Sequence, residues 1–156
     1  MTDQIESLTR LRFHPDQLDP IRVYIETYPN NAHMMTIVCC GQAWSHAWSA
    51  IGPGSLFDFF IDANNSYIVE KFFGDTKETD YDQIGNDTGI DGIDVTSMLL
   101  HSDILCDTYG EDWCLDIPRC TSSDAKYFYR IIYAVKNHMI QIQERAYASI
   151  TGGTSL

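Results

Sequence analysis

Residues 21–49 read IRVYIETYPNNAHMMTIVCCGQAWSHAWS, and their alternation decides the fold. In residues 21–28, Ile21, Val23 and Ile25 fall on one side of an extended chain and Arg22, Tyr24 and Glu26 on the other, the period of a half-buried strand. Pro29-Asn30-Asn31 is a turn, and residues 33–40, HMMTIVCC, make a second strand. Gly41-Gln42 permits another tight turn. Trp44, His46 and Trp48 then alternate with Ala43, Ser45, Ala47 and Ser49, which predicts a third strand. A helix is the alternative there, because Trp44 and Trp48 are also four apart. The three segments together give a three-stranded antiparallel meander.

Upstream, Ile5, Leu8 and Leu11 recur every third position, which predicts a short helix over 3–11. His14-Pro15-Asp16 and Asp19-Pro20 punctuate the chain before the meander. Downstream, Gly52-Pro53-Gly54 closes the strand region. Ser55 is placed to cap a helix LFDFFIDA, and Ser66 a helix YIVEKFF that stops at Gly74. Residues 75–93 combine glycines and acids with little periodicity and are expected as a long acidic loop. Asp94 can cap a helix from Val95 to about Tyr109, with Val95, Met98, Leu99 and Leu105 inward and Gly110 as its stop. Residues 111–120 are irregular, and Thr121 to Asp124 resembles a capping box. The last helix is the clearest element. Phe128, Ile131, Ile132, Val135, Met139, Ile142 and Ala146 form one apolar stripe, with Lys126, Arg130, Asn137, Gln141 and Glu144 opposite. Its length is roughly 35–40 Å at 1.5 Å per residue, and the tail from about 150 is expected to fray. Strands first and helices after argue an α+β fold: the meander, then helices, ending in a long C-terminal amphipathic helix. One domain over 1–156 is expected at this length.

Charge narrows the function. The chain carries a formal net charge of −12. Twelve acids lie between Asp75 and Asp116, with Lys77 as the one base among them. Such a field repels phosphates and attracts a basic protein surface, so direct DNA or RNA binding is not expected. The N-terminus MTDQIESLTRLRF has early acids and no apolar core, unlike a secretory signal, and no stretch approaches the length of a membrane span. A cytoplasmic protein without membrane contact is expected. Five cysteines, an odd number, then read as free thiols.

The chemical constellations are incomplete. His101, Cys106, Cys114 and Cys120 are ligand types that zinc accepts, but their spacing lacks the tight pairs of a zinc knuckle. Asp80-x-Asp82 opens like a calcium loop, yet Ile84 holds the third ligand position and the closing Glu is missing. Cys40 and His46 are the residue types of a nucleophile and its base, with no acid-containing signature around them. Residues IGPGS lack the Lys-Ser/Thr of a phosphate loop. No cofactor and no metal are expected.

Cys40-Gly41, Trp44, Trp48, Gly52, the helix containing Phe59, and Asp62-Ala63-Asn64 leading to Tyr67-Ile68 resemble a family of small phage and prophage proteins. The likeness covers residues 40–68, carries over no catalytic residue, and implies a phage accessory protein. Taken with the acidic segment and the aromatic-rich sheet, the resemblance implies a protein that binds and modulates a host protein with a basic surface, with inhibition of a nucleic-acid-handling defence complex as the expected case. Asp80, Asp82, Asp87, Asp91 and Asp94 are the expected contacts, with Trp44 and Trp48 from the aromatic cluster that runs to Phe73. A small hydrolase or transferase using Cys40 and His46, or a metal held by the acids, is the alternative.

Overall fold

Alternating β-branched and aromatic residues pair into an antiparallel sheet of four strands, not three: β1 (Ser7–Phe13), β2 (Ile21–Tyr28), β3 (Ala32–Cys39) and β4 (Gln42–Trp48), in that spatial order. The computed structural model describes residues 4–152. β1 replaces the helix expected over 3–11. Its register runs from Ser7 opposite Thr27 to Phe13 opposite Ile21. The backbone groups along the outer edge of β2 need partners, and pairing with them outweighs the weak three-residue spacing of Ile5, Leu8 and Leu11.

Two turns explain the tight meander. Asn30 and Asn31 lie at φ 64° and 58°, a left-handed conformation that asparagine tolerates better than most residues. Between β3 and β4 the turn is Cys40-Gly41, with φ 51° and 75°. Positive φ at both central positions gives the twist that a two-residue hairpin needs. The third strand is thus a strand, and the helical alternative for Trp44 and Trp48 is excluded.

Opposite residues of the ladder share a face. Leu11, Val23, Ile37 and Trp44 lie on one face, while Arg12, Arg22, Val38 and Ala43 lie on the other. The first face is covered by α1 (Leu56–Asp62), α2 (Asn65–Phe73) and the long C-terminal helix α7 (Ser123–Thr151). Ser55 Oγ accepts from the Asp58 N–H at 3.1 Å and starts α1 as expected. Asn64, not Ser66, caps α2: its Oδ1 accepts from the Ser66 N–H at 2.8 Å, because the helix begins one residue before Ser66. Gly74 ends it. From α7, Phe128, Ile131, Ile132, Val135 and Met139 are buried against Ile21, Val23, Ile25, Met35 and Ile37. Ile142 is half-buried and Ala146 exposed, so the expected stripe loses its cover before the helix ends. Lys136 is buried on that helix, and its Nζ donates to the carbonyls of Ile61 and Ala63 at the end of α1. Burial lowers its pKa.

The chain divides into two compact units, 76–125 and the remainder. The insert 76–125 contains β5 (Lys77–Thr79) paired with β6 (Arg119–Thr121), and between them α3 (Tyr81–Thr88), α4 (Val95–Met98), a 3-10 turn (Leu99–His101), α5 (Ser102–Tyr109) and α6 (Trp113–Asp116). The loop expected over 75–93 is therefore largely structured. Asp80 caps α3, accepting from the Gln83 N–H at 2.9 Å, and Ile84 anchors the helix inward. One anchor in eight residues is too sparse to read as periodicity. The helix expected from Val95 to Tyr109 is broken by the 3-10 turn, so Met98 and Leu105 point inward but Val95 and Leu99 do not. Ser122, rather than Thr121, supports the start of α7, accepting from the Ala125 N–H at 3.1 Å. That helix runs to Thr151, past the point where fraying was expected, and the last four residues lie outside the described residues.

Candidate docking surface

The insert has a very small interior. Ile84, Ile93, Met98 and Leu105 form its buried cluster, with Tyr81, Ile90, Tyr109, Trp113 and Ile117 packed around them. Other aliphatic side chains face water: Val95 is 68% exposed, Leu99 75%, Leu100 83% and Leu115 80%. The cause is local. A four-residue α4 followed by a 3-10 turn shifts the helical phase, and adjacent leucines such as Leu99 and Leu100 cannot both face one core. Val95 and Leu99 are thus exposed where the sequence reading has them inward, Leu100 and Leu115 are not singled out by it, and the Leu99-Leu100 pair among acids was the available signal.

The acids of the insert divide into two groups. Asp80, Asp87 and Asp94 have internal work. Asp87 accepts from Tyr109 OH at 2.6 Å and from Gln83 Nε2 at 2.8 Å. These bonds favour the carboxylate and hold its pKa below the usual value, the Tyr109 bond contributing most. Desolvation, then the bond to Asp87, pushes Tyr109 up to about 12. Asp94 Oδ1 accepts from the N–H groups of Thr96 and Ser97 and from the Thr96 hydroxyl, while Ser97 Oγ accepts from the Asp94 N–H. This reciprocal capping box lowers the Asp94 pKa, chiefly through the Thr96 hydroxyl.

Asp82 and Asp91 are exposed and line a hollow of about 340 Å³ together with Tyr81, Ile90 and Ile93. A hollow lined by two carboxylates beside Tyr81 and Ile90 has the chemistry to take the stem and charged head of a lysine or arginine. Of the five aspartates expected as contacts, the hollow brings together these two.

The tryptophans are correctly placed in the aromatic cluster but are not surface anchors. Trp48 is only 8% exposed, donates from Nε1 to Tyr67 OH at 3.3 Å, and packs edge-on to Phe59 and Phe72. Trp44 is half-buried over Phe128, with centroids 4.6 Å apart. Both point to the helix-covered side of the sheet, where the ladder places them opposite His33 and Ile37.

Cys40 and His46 are not brought together. Cys40 is exposed in the β3–β4 turn, and His46 pairs with Met35, four residues along β4 from Gln42, or about 13 Å. The negative charge of Asp19 raises the Cys40 pKa, the wrong direction for a nucleophile. Burial lowers the pKa of His46, with a smaller contribution from Lys71. Among the described residues no group of three or more His, Cys, Asp or Glu is placed to hold a metal ion, His101, Cys106, Cys114 and Cys120 included.

A larger cleft of about 840 Å³ lies in the sheet-bearing unit between the β1–β2 connection and α7, with His14, Asp16, Asn65, Arg130, Tyr133 and His138 among its lining. Its wall is braced: Arg130 Nη2 donates to the Gln17 carbonyl at 3.0 Å, and Phe13 stacks on His138 at 4.0 Å. Among the described residues no helix is long and apolar enough to cross a membrane.

The model of the phage family Phage_phiTE_072 matches residues 3–141, far beyond the 40–68 likeness visible in the sequence. No curated protein and no solved structure matches the chain.

Proposed function

The chain belongs to the phage family Phage_phiTE_072, and from that premise we propose that it is an accessory protein of the host cytoplasm that docks on a basic surface of a host protein and modulates it. The proposed target class is a nucleic-acid-handling defence complex, in which carboxylates of this chain occupy positions shaped for phosphates. One observation carries the reading: the insert 76–125 combines strongly exposed Leu99, Leu100 and Leu115 with the carboxylate-edged hollow at Asp82 and Asp91. Acids that only solvate a surface need no exposed leucines beside them in the chain. A docking surface uses both, apolar side chains for affinity and charge for encounter rate and partner choice.

The test is capture from bacterial lysate with the tagged chain in low and high salt, followed by identification of bound proteins. The expected result is a nucleic-acid-handling protein retained at low salt and lost at high salt. It is also lost when Asp82→Lys and Asp91→Lys are combined, and weakened by Leu99→Ala with Leu100→Ala. No capture at either salt, or capture indifferent to all four substitutions, overturns the reading.

A further inference from the structure

We infer that the uncovered face of the four-stranded sheet binds a single-stranded phosphodiester chain through Arg10, Arg12 and Arg22, with Tyr24 as a stacking surface. The ladder fixes the placement. Arg12 is directly opposite Arg22 and Arg10 directly opposite Tyr24, so all four side chains rise from adjacent strands on the same face. The three arginines are exposed, while Leu11, Val23 and Ile25 of the same strands are buried on the other side.

Directly opposed residues stand about 4.5–5.5 Å apart at Cβ, and like charges at that distance destabilise a sheet. Nothing in the fold requires arginine at either position. The acid of β2 on this face is Glu26, opposite Leu8 and already accepting from Tyr28 OH at 2.7 Å. Towards β3 and β4 the face continues with Thr36, Val38, Ala43 and Ser45, and the Thr36 and Ser45 hydroxyls bond to each other at 2.7 Å. The result is an open surface on which three arginines outnumber the one acid of β2, with an aromatic ring beside the charges. An open sheet face of this kind accepts a single strand whose phosphates meet guanidinium groups and whose bases stack on tyrosine.

The charge of the whole chain argues against this contact, but that charge is not evenly divided. The insert 76–125 holds twelve acids against two bases, and the sheet-bearing unit ten acids against eight bases. At physiological salt, fields are screened beyond about 8 Å, so the local arginines govern what this face meets. The inference does not depend on the docking reading, which uses other residues on the other unit.

The experiment is fluorescence anisotropy of the full chain with a short labelled oligodeoxythymidine across a salt series. Duplex DNA, polyglutamate and inorganic phosphate serve as competitors. Three phosphate contacts predict a slope of log affinity against log salt of about −2, at about 0.7 per contact. Combining Arg12→Gln with Arg22→Gln is expected to bring that slope below about −1 in magnitude, and Tyr24→Ala to weaken binding roughly tenfold. The Arg12→Gln, Arg22→Gln protein should melt no lower than wild type, because a like-charge pair has gone, so lost binding cannot be ascribed to unfolding. Asp82→Lys with Asp91→Lys should not weaken binding, which separates this result from the docking test. Absence of binding, equal competition by duplex or polyglutamate, or an unchanged slope in the arginine variant overturns the inference.

Discussion

The two units use their apolar residues in opposite ways. In the sheet-bearing unit, strands and helices enclose a continuous core in which Phe60, Phe128, Ile21, Met35, Ile37 and Ile68 are fully buried. The insert 76–125 has one small buried cluster, Ile84, Ile93, Met98 and Leu105, and leaves Val95, Leu99, Leu100, Ile104 and Leu115 in water. It also carries a net charge of −10, twelve acids against two bases, while the sheet-bearing unit has ten acids against eight bases. A small interior under strong self-repulsion is a poor arrangement for stability and a good one for meeting a partner. The sheet-bearing unit has the larger core, and the insert carries the exposed leucines and acids on which the docking proposal rests.

This contrast predicts where damage is largest. Phe128 has no exposure and touches Trp44, Phe72 and Phe73, at centroid distances of 4.6, 6.3 and 5.8 Å. Phe128→Ala should destabilise the protein by about 3–5 kcal/mol in urea unfolding, since the long helix and the sheet cannot close on the space left. A loss below about 1 kcal/mol would mean that this core is not what holds the unit together. Leu105→Ala, at an equally buried position of the insert, should cost about 2–5 kcal/mol locally. Hydrogen exchange should then accelerate across 76–125 while residues 21–48 keep their protection. Uniform acceleration along the chain would show one cooperative body and break the comparison.

The same contrast explains what was legible in the sequence. Residues 21–49 give the meander because every second residue is apolar and faces a deep core, and the stripe from Phe128 to Met139 is readable for the same reason. β1 was misread because Leu8 is exposed and Leu11 buried, so a strand with one strongly buried residue imitated helical spacing. In the insert, short elements supported by single anchors such as Ile84 give no period to read. Capping residues were more visible than the helices they start: Ser55, Asp94 and Gly74 each do the expected job. Among the expected contacts, charge singled out the segment but could not tell Asp87 and Asp94, tied into hydrogen bonds, from Asp82 and Asp91 at the hollow. That distinction depends on Tyr109 and Ser97, whose roles only three-dimensional proximity reveals.

Acidification should separate the units next. Burial lowers the pKa values of His33, His46 and His138 below the ordinary 6.5, with Lys71 adding to the effect at His46 and Arg145 at His138. Their folded-state values lie below the unfolded ones, so their stabilisation is complete above pH 6.5 and is lost as pH falls through the lowered values. In the insert, Asp87 and Asp94 are lowered from 3.8, so their contribution persists until the pH drops below that value. Between about pH 6.5 and pH 4 the sheet-bearing unit should weaken while the carboxylate bonds of the insert hold. Hydrogen exchange by peptide, corrected for intrinsic rate, reads both units in one experiment, and an insert that loosens first would reverse the assignment. A smaller effect follows at one cap: Asp94→Ala should lower the melting midpoint by roughly 2–4 °C, with Asp94→Ser recovering most of it.

The smallest predicted shift has the opposite sign. Asp82 and Asp91 are exposed at the hollow, amid a net charge of −10 from twelve acids and two bases. Replacing both with lysine changes the charge of the insert by four units, which reduces self-repulsion without removing a cap and offsets the loss of a favourable carboxylate, Asp82, from the first turn of α3. The double variant should melt at the same temperature as wild type or slightly above it, and the difference should shrink as salt rises. Two exposed acids that add to the self-repulsion of the insert and line a hollow with Ile90 and Ile93 are better explained by a partner than by the fold. A clear fall in the midpoint would instead make Asp82 and Asp91 structural, and the docking reading would lose the two carboxylates it relies on most.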